Sequence, residues 1–271
     1  MSQDTESSMR NGSRLRRPWV WDVLFLVVLV IGGYFRFTGI KWDESYHLHP
    51  DERFLTMVES AIAPVQNLSE YFNSSQSSLN PNNRGYTFYV YGTLPIFTVR
   101  YVAEWLGQTG YDQVNVVGRV LSGVFDLGTL VFIYLIGKRL YRNARLGWLG
   151  ALFSALAVLQ IQLSHYFTVD NFANYFVYAA IYVAVLISGK TTLPAAEQSV
   201  EERKINLPDW LTGHWRSFIL YALFGVLYGL AMASKVSVWA LAGLLPLAGL
   251  LNYPEHKTTA VPVIWRNLVL A

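Results

Sequence analysis

His47-Leu48-His49-Pro50-Asp51-Glu52-Arg53-Phe54 sets two adjacent carboxylates, Asp51 and Glu52, directly behind a proline. Proline suits the first position of a helix, where its missing N–H is not needed. Acids suit the first turn, at the positive end of the helix dipole. The spacing therefore predicts a short helix over 50–62 that begins at the carboxylates. Phe54, Leu55, Val58, Ala61 and Ile62 then fall on one face. A helix of that kind lies flat on a membrane surface. The same pattern also fits a capped helix start whose two acids are simply solvated.

The surroundings of this stretch decide the class. The chain has 271 residues, of which 53% are hydrophobic and 14% charged. Soluble domains carry about 25% charged residues. The apolar residues come in long blocks, and a membrane span needs about 20 of them. The fold class expected is an all-α polytopic membrane protein. With no cysteine in the chain, disulfides, thiolate metal sites and cysteine nucleophiles are excluded. The first apolar run is longer than a signal-peptide core and is followed by no small-residue cleavage site, so it reads as a retained span.

Residues 1–18 carry Arg10, Arg14, Arg16 and Arg17 and read as a basic cytoplasmic tail. The module 19–271 follows, with spans expected at 19–36, 118–136, 146–163, 171–188, 217–234 and 236–253. A polar loop, 189–216, separates the fourth from the fifth. A seventh span is expected to break off at Ala271, which would make the chain a fragment. The loop 41–117 holds the acids and an Asn- and Ser-rich stretch, 73–83, that reads as mobile. The basic tail places the N-terminus inside by the positive-inside rule. If 87–106 crossed the bilayer, Lys138, Arg139, Arg142 and Arg145 would end up outside. Pro95, Arg100 and Glu104 also make a crossing costly. The stretch 87–106 is therefore expected to stay on the outer face. That topology carries Arg119, the segment His165 to Asp170, and Lys235 to the same face as Asp51 and Glu52.

Each of these groups has a functional and a structural reading. Asp51 and Glu52 can supply a general base or hold a divalent ion, with His49 and Asp51 as the candidate metal ligands. No other cofactor is indicated. Lys235 interrupts the apolar run 217–253; a lipid phosphate explains it, and so does snorkelling into headgroups. Arg119 has the same two readings and shares a helix face with Asp126. Asp170 opens a span, where a cap is the structural reading. His165 is a ligand or an interfacial hydrogen-bonding residue. Asp43-Glu44 is a second acidic pair that rivals Asp51-Glu52 on chemistry alone. No phosphate-loop, dinucleotide or zinc-protease motif is present.

Several pieces in order resemble one family. They are Pro50-Asp51-Glu52-Arg53-Phe54 after the first span, Tyr91-Gly92-Thr93-Leu94-Pro95, Gly118-Arg119-Val120-Leu121-Ser122, Ser164 to Asp170, and Gly229 to Lys235. Together they resemble the N-terminal half of the membrane module of a GT-C glycosyltransferase, of the family 39-like group that includes protein O-mannosyltransferases and aminoarabinose transferases. The likeness covers about 19–253. It implies a GT-C-like transmembrane helix bundle with amphipathic juxtamembrane helices in its outer loop. It implies a polyprenyl-phosphate sugar donor and a protein or glycolipid acceptor hydroxyl at the outer face of the plasma membrane, with no nucleic acid involved. Asp51 would then be the base, with Glu52 beside it. Lys235 and Arg119 would hold the donor phosphate, and Asp170 and His165 would line the site. A Glu-Lys pair that some members carry before the proline of the Tyr91–Pro95 segment is absent, and Arg84 is its candidate replacement. The competing class is a transporter, flippase or assembly subunit for lipid-linked sugars. Such proteins place ionisable residues near the bilayer midplane, whereas most spans here are free of them.

Overall fold

The computed structural model describes residues 18–189 and 215–251. The basic tail up to residue 17, nearly all of the loop 189–216 and the expected seventh span lie outside the described residues. Every regular element among the described residues is helical: α1 (Pro18–Phe37), α2 (Pro50–Ala61), α3 (Leu68–Phe72), α4 (Leu94–Leu106), α5 (Tyr111–Leu140), α6 (Ala144–Leu156), α7 (Val158–Ser164), α8 (Val169–Ser188), α9 (Trp215–Ser234) and α10 (Leu244–Leu251). Two 3-10 segments, Pro81–Arg84 and Val236–Gly243, complete the set.

Three helices are long and apolar enough to cross a membrane: Trp19–Phe37 of α1, α5 and α8. A fourth is counted if α6 and α7, bent by 60° at their junction, make one span. Trp19, Val23, Leu26, Val27, Val30 and Tyr34 point outward along one side of α1, a contiguous apolar stripe suited to lipid rather than water. The stretches Phe218–Ser234 and Val236–Leu251 are apolar but shorter. The straight helix expected over 236–253 is instead a 3-10 segment followed by α10, eight residues each. Because a 3-10 turn rises about 2.0 Å per residue against 1.5 Å in an α-helix, the pair reaches about 28 Å, near the thickness of a bilayer core.

The expected third span breaks at Ala157, where no proline stands. A break strands the last carbonyls of α6, and Arg36 at the end of α1 collects them. Its Nη1 donates to Ala155 O at 3.1 Å and to Gly32 O at 3.1 Å, and its Nη2 to Ser154 O at 3.5 Å. Its Nε bonds Asp126 of α5 at 2.5 Å. The partner of Asp126 is thus Arg36 and not Arg119, although Arg119 shares its helix face. Close backbone approach joins α5 to α6 at the other end, where a Cβ on Gly147 would meet Tyr134 O at 2.4 Å.

Helix α4 has 13 residues, about 20 Å of helix against a hydrocarbon core of about 30 Å. That is too short to cross the core on its own, and α4 packs under α2. Leu55 and Val58 of α2 and Ile62 just after it are almost fully buried with Ile96, Val99 and Ala103 of α4, Val114 and Val117 of α5, and Phe167. This corrects the expectation that the apolar face of α2 lies on lipid. A one-sided apolar pattern states only that the face is covered, and here protein covers it. The Asn- and Ser-rich stretch is also tied down, with Asn83 Nδ2 donating to Ser74 O and Ser77 O and Ser78 Oγ to Ala63 O.

Candidate functional site

Two clusters of charge sit at the end of the bundle where α1 finishes and α5 begins. The first is closed. Arg119, in the third turn of α5, has no solvent exposure. Its Nε and Nη2 donate to the two oxygens of Glu52, both at 2.7 Å. Its Nη1 and Nη2 donate to the two oxygens of Asp43 at 2.9 and 2.7 Å, and Nη1 also donates to Ile40 O at 2.9 Å. All five N–H donors of a guanidinium are therefore used. Glu52 is also fully buried, and its Oε1 accepts a further bond from Phe167 N at 2.9 Å. The Arg119 hydrogen bonds hold the Asp43 carboxyl below its ordinary range against the opposing effect of burial. The turn that brings Asp43 here places Glu44, Ser45 and His47 at positive φ, a costly conformation for non-glycine residues.

The second cluster is open. Lys235 follows the last residue of α9, and its Nζ lies 2.5 Å from Asp170 Oδ1 in the first turn of α8. Both side chains keep over a third of their surface exposed, 40% and 36%. Gly92 N donates to Ser234 O at 3.2 Å and so docks the segment Tyr91–Gly92 on the start of this turn. Only glycine fits there, since a Cβ at 92 would lie 2.1 Å from Ala233 O. Tyr91 is thereby held between the acids. Burial first, then the nearby Asp51 carboxylate, and more distantly Asp170, push its phenol up. Asp51 is exposed at the first turn of α2, one residue from the fully buried Glu52. Phe54, Tyr89 and Tyr91 form an aromatic wall beside it, with ring centroids 6.0–6.2 Å apart.

The structure thus brings Asp51, Asp170 and Lys235 together and adds Tyr91, which lay inside a quoted motif without being singled out. Glu52 and Arg119, read from sequence as catalytic and substrate-binding groups, are each other's partners, both fully buried. Asp43, the rival acid, belongs to the same closed knot. His165 also serves the scaffold: its Nδ1 and Nε2 lie 2.7 and 2.9 Å from Ile161 O and Thr38 O, tying α7 to the loop after α1. Arg84 stands away from the cluster, its Nε on Ser78 O at 3.4 Å and its charge near Glu70. His49 caps α2, with Nδ1 accepting from Glu52 N at 3.3 Å. No group of three or more His, Asp or Glu suited to a metal occurs among the described residues.

Comparison with known proteins gave no match: no family model, no curated protein and no solved structure is significantly similar to this chain.

Proposed function

We propose that this chain is a membrane glycosyltransferase of the GT-C type, moving a sugar from a polyprenyl-phosphate donor to an acceptor hydroxyl. The observation that carries the reading is the open cluster itself. An exposed carboxylate, Asp51, faces a half-exposed ammonium, Lys235, across Tyr91, beside an aromatic wall and at one end of a membrane bundle. In this reaction the acceptor oxygen bonds the anomeric carbon, and the bond from that carbon to the phosphate oxygen breaks. The acceptor proton goes to Asp51 as general base. The polyprenyl phosphate leaves with an added negative charge, which Lys235 stabilises. One N–H of Lys235 is occupied by Asp170, leaving two for phosphate oxygens. The sugar stacks on the aromatic wall. The basic end of the bundle, with Lys138, Arg139, Arg142 and Arg145, is assigned to the cytoplasm by the positive-inside rule. The open cluster then faces outward.

The ordered resemblance to the family 39-like enzymes supports the same reading. A transporter would need ionisable groups accessible within the membrane. The buried pair Arg36 and Asp126 is 0% and 2% exposed, and Arg36 also bonds the Gly32, Ser154 and Ala155 carbonyls, which fits a scaffold. The test is transfer of radiolabelled sugar from a polyprenyl-phosphate donor in membranes carrying the full chain. Labelled acceptor that forms in proportion to the protein supports the assignment. Movement of the donor across the membrane without any transfer product overturns it in favour of transport.

A further inference from the structure

The opposite, basic end of the bundle holds a cavity of about 680 Å³ between the last turns of α5, the start of α6 and the end of α8. Leu135, Tyr182 and Val185 form an apolar wall, and Lys138, Arg139 and Arg142 form the rim. Lys138 is already neutralised, with Nζ 2.5 Å from Asp22 Oδ1. Arg139 and Arg142 have no carboxylate partner among the described residues. Arg139 reaches across to α8, its Nη2 lying 3.4 Å from where a Cβ on Gly189 would stand. Arg142 sits in the turn before α6 at φ 50°, a left-handed conformation that favours glycine or asparagine. A cation thus occupies a backbone position that does not favour it, at the mouth of a cavity where two guanidiniums have no carboxylate partner among the described residues. We propose that this cavity binds the phosphate headgroup of an anionic phospholipid, with the apolar wall against the upper part of its acyl chains.

Two guanidiniums match phosphate oxygens in geometry and charge. The cavity opens at the end of α5, one of the helices long and apolar enough to cross a membrane, and basic pockets between membrane helices bind such headgroups. Orientation by positive charge requires basic residues near the membrane, but it does not require a cavity with an apolar wall. A free phosphate would satisfy the rim and leave that wall uncovered. The inference does not depend on the enzymatic reading, since it concerns the other end of the bundle.

The experiment follows the melting temperature of the purified full chain in a zwitterionic detergent during titration with phosphatidylglycerol, with phosphatidylcholine of the same acyl chains, or with inorganic phosphate at matched ionic strength. Phosphatidylglycerol is expected to raise the melting temperature saturably, and phosphatidylcholine is not. The double variant Arg139→Gln/Arg142→Gln is expected to keep its lipid-free melting temperature and to need about thirtyfold more phosphatidylglycerol for the same shift. Arg139→Gln alone, which keeps one guanidinium, carries the test at about fivefold should the double variant not fold. Equal shifts from the two lipids, or an unchanged phosphatidylglycerol response in the variants, would overturn the proposal. Inorganic phosphate that reproduces the full shift at the same concentration would overturn the lipid as ligand and assign the cavity to free phosphate.

Discussion

Arg119 and Lys235 are both cations beside carboxylates at the same end of the bundle, yet they differ in what they have left to give. Arg119 is fully buried and spends five donors on Glu52, Asp43 and Ile40. Lys235 is 40% exposed and spends one donor on Asp170. Asp51 and Glu52 repeat the contrast one residue apart. Helix α2 turns Glu52 into the bundle and Asp51 out of it. The difference teaches that residue type does not separate scaffold from chemistry in this molecule. Saturation and exposure do.

That contrast breaks most visibly at Arg119. Arg119→Met would leave two buried carboxylates without their cation, a loss of about 3–5 kcal/mol. The folded yield in gel filtration should collapse, and an ordinary yield with ordinary melting would mean that the knot is not scaffold. Lys235→Gln should act in the opposite way. It leaves folding intact but removes one charge-assisted contact to phosphate, worth about 1.5–3 kcal/mol, so the initial transfer rate at low donor falls about ten- to hundredfold. Lys235→Arg keeps the charge and should keep much of the rate. Overlapping rate curves for wild type and Lys235→Gln would remove Lys235 from the site.

The smallest effect concerns a buried acid that neither cluster uses. Glu59 in α2 is unexposed, and neither of its carboxylate oxygens has a hydrogen-bond partner. Burial raises its carboxyl well above the ordinary value of 4.5, partly opposed by Arg100. A carboxyl raised in the folded state contributes its stability below that ordinary value and loses it as pH rises through the folded one. Glu59→Gln, which stays neutral, should therefore melt higher than wild type at pH 8 and alike at pH 4. Each kcal/mol corresponds to about 2–4 °C in a chain of this size class. Equal melting at both pH values would mean that Glu59 titrates normally.

The helical class was legible because long apolar blocks leave few alternatives, and α1, α5 and α8 follow those blocks closely. The expectation, drawn from Pro95, Arg100 and Glu104, that 87–106 stays on one face agrees with the shortness of its helix, 13 residues in α4. What covers α2 was not, because periodicity reports that a face is covered and not by what. The closed knot was hidden for a related reason: its members stand 67 and 76 residues apart in the chain, and burial comes from elements brought together only by folding. The break at Ala157 had no proline to announce it; Arg36, 119 residues from Ala155 in sequence, stabilises its stranded carbonyls. Tyr91 was within reach, since Gly92 beside it marks a close backbone approach.

The central claim is that two adjacent acids, Asp51 and Glu52, divide between chemistry and scaffold. The direct measurement takes Asp51→Asn and Glu52→Gln side by side and records melting temperature and initial sugar transfer for each at matched membrane levels. Asp51→Asn should melt like wild type and show almost no transfer, because an amide cannot take the acceptor proton. Glu52→Gln should lose melting temperature through the broken pair with Arg119, with transfer per folded molecule largely retained. An inactive Glu52→Gln that melts normally, or an active Asp51→Asn, would overturn this division of roles.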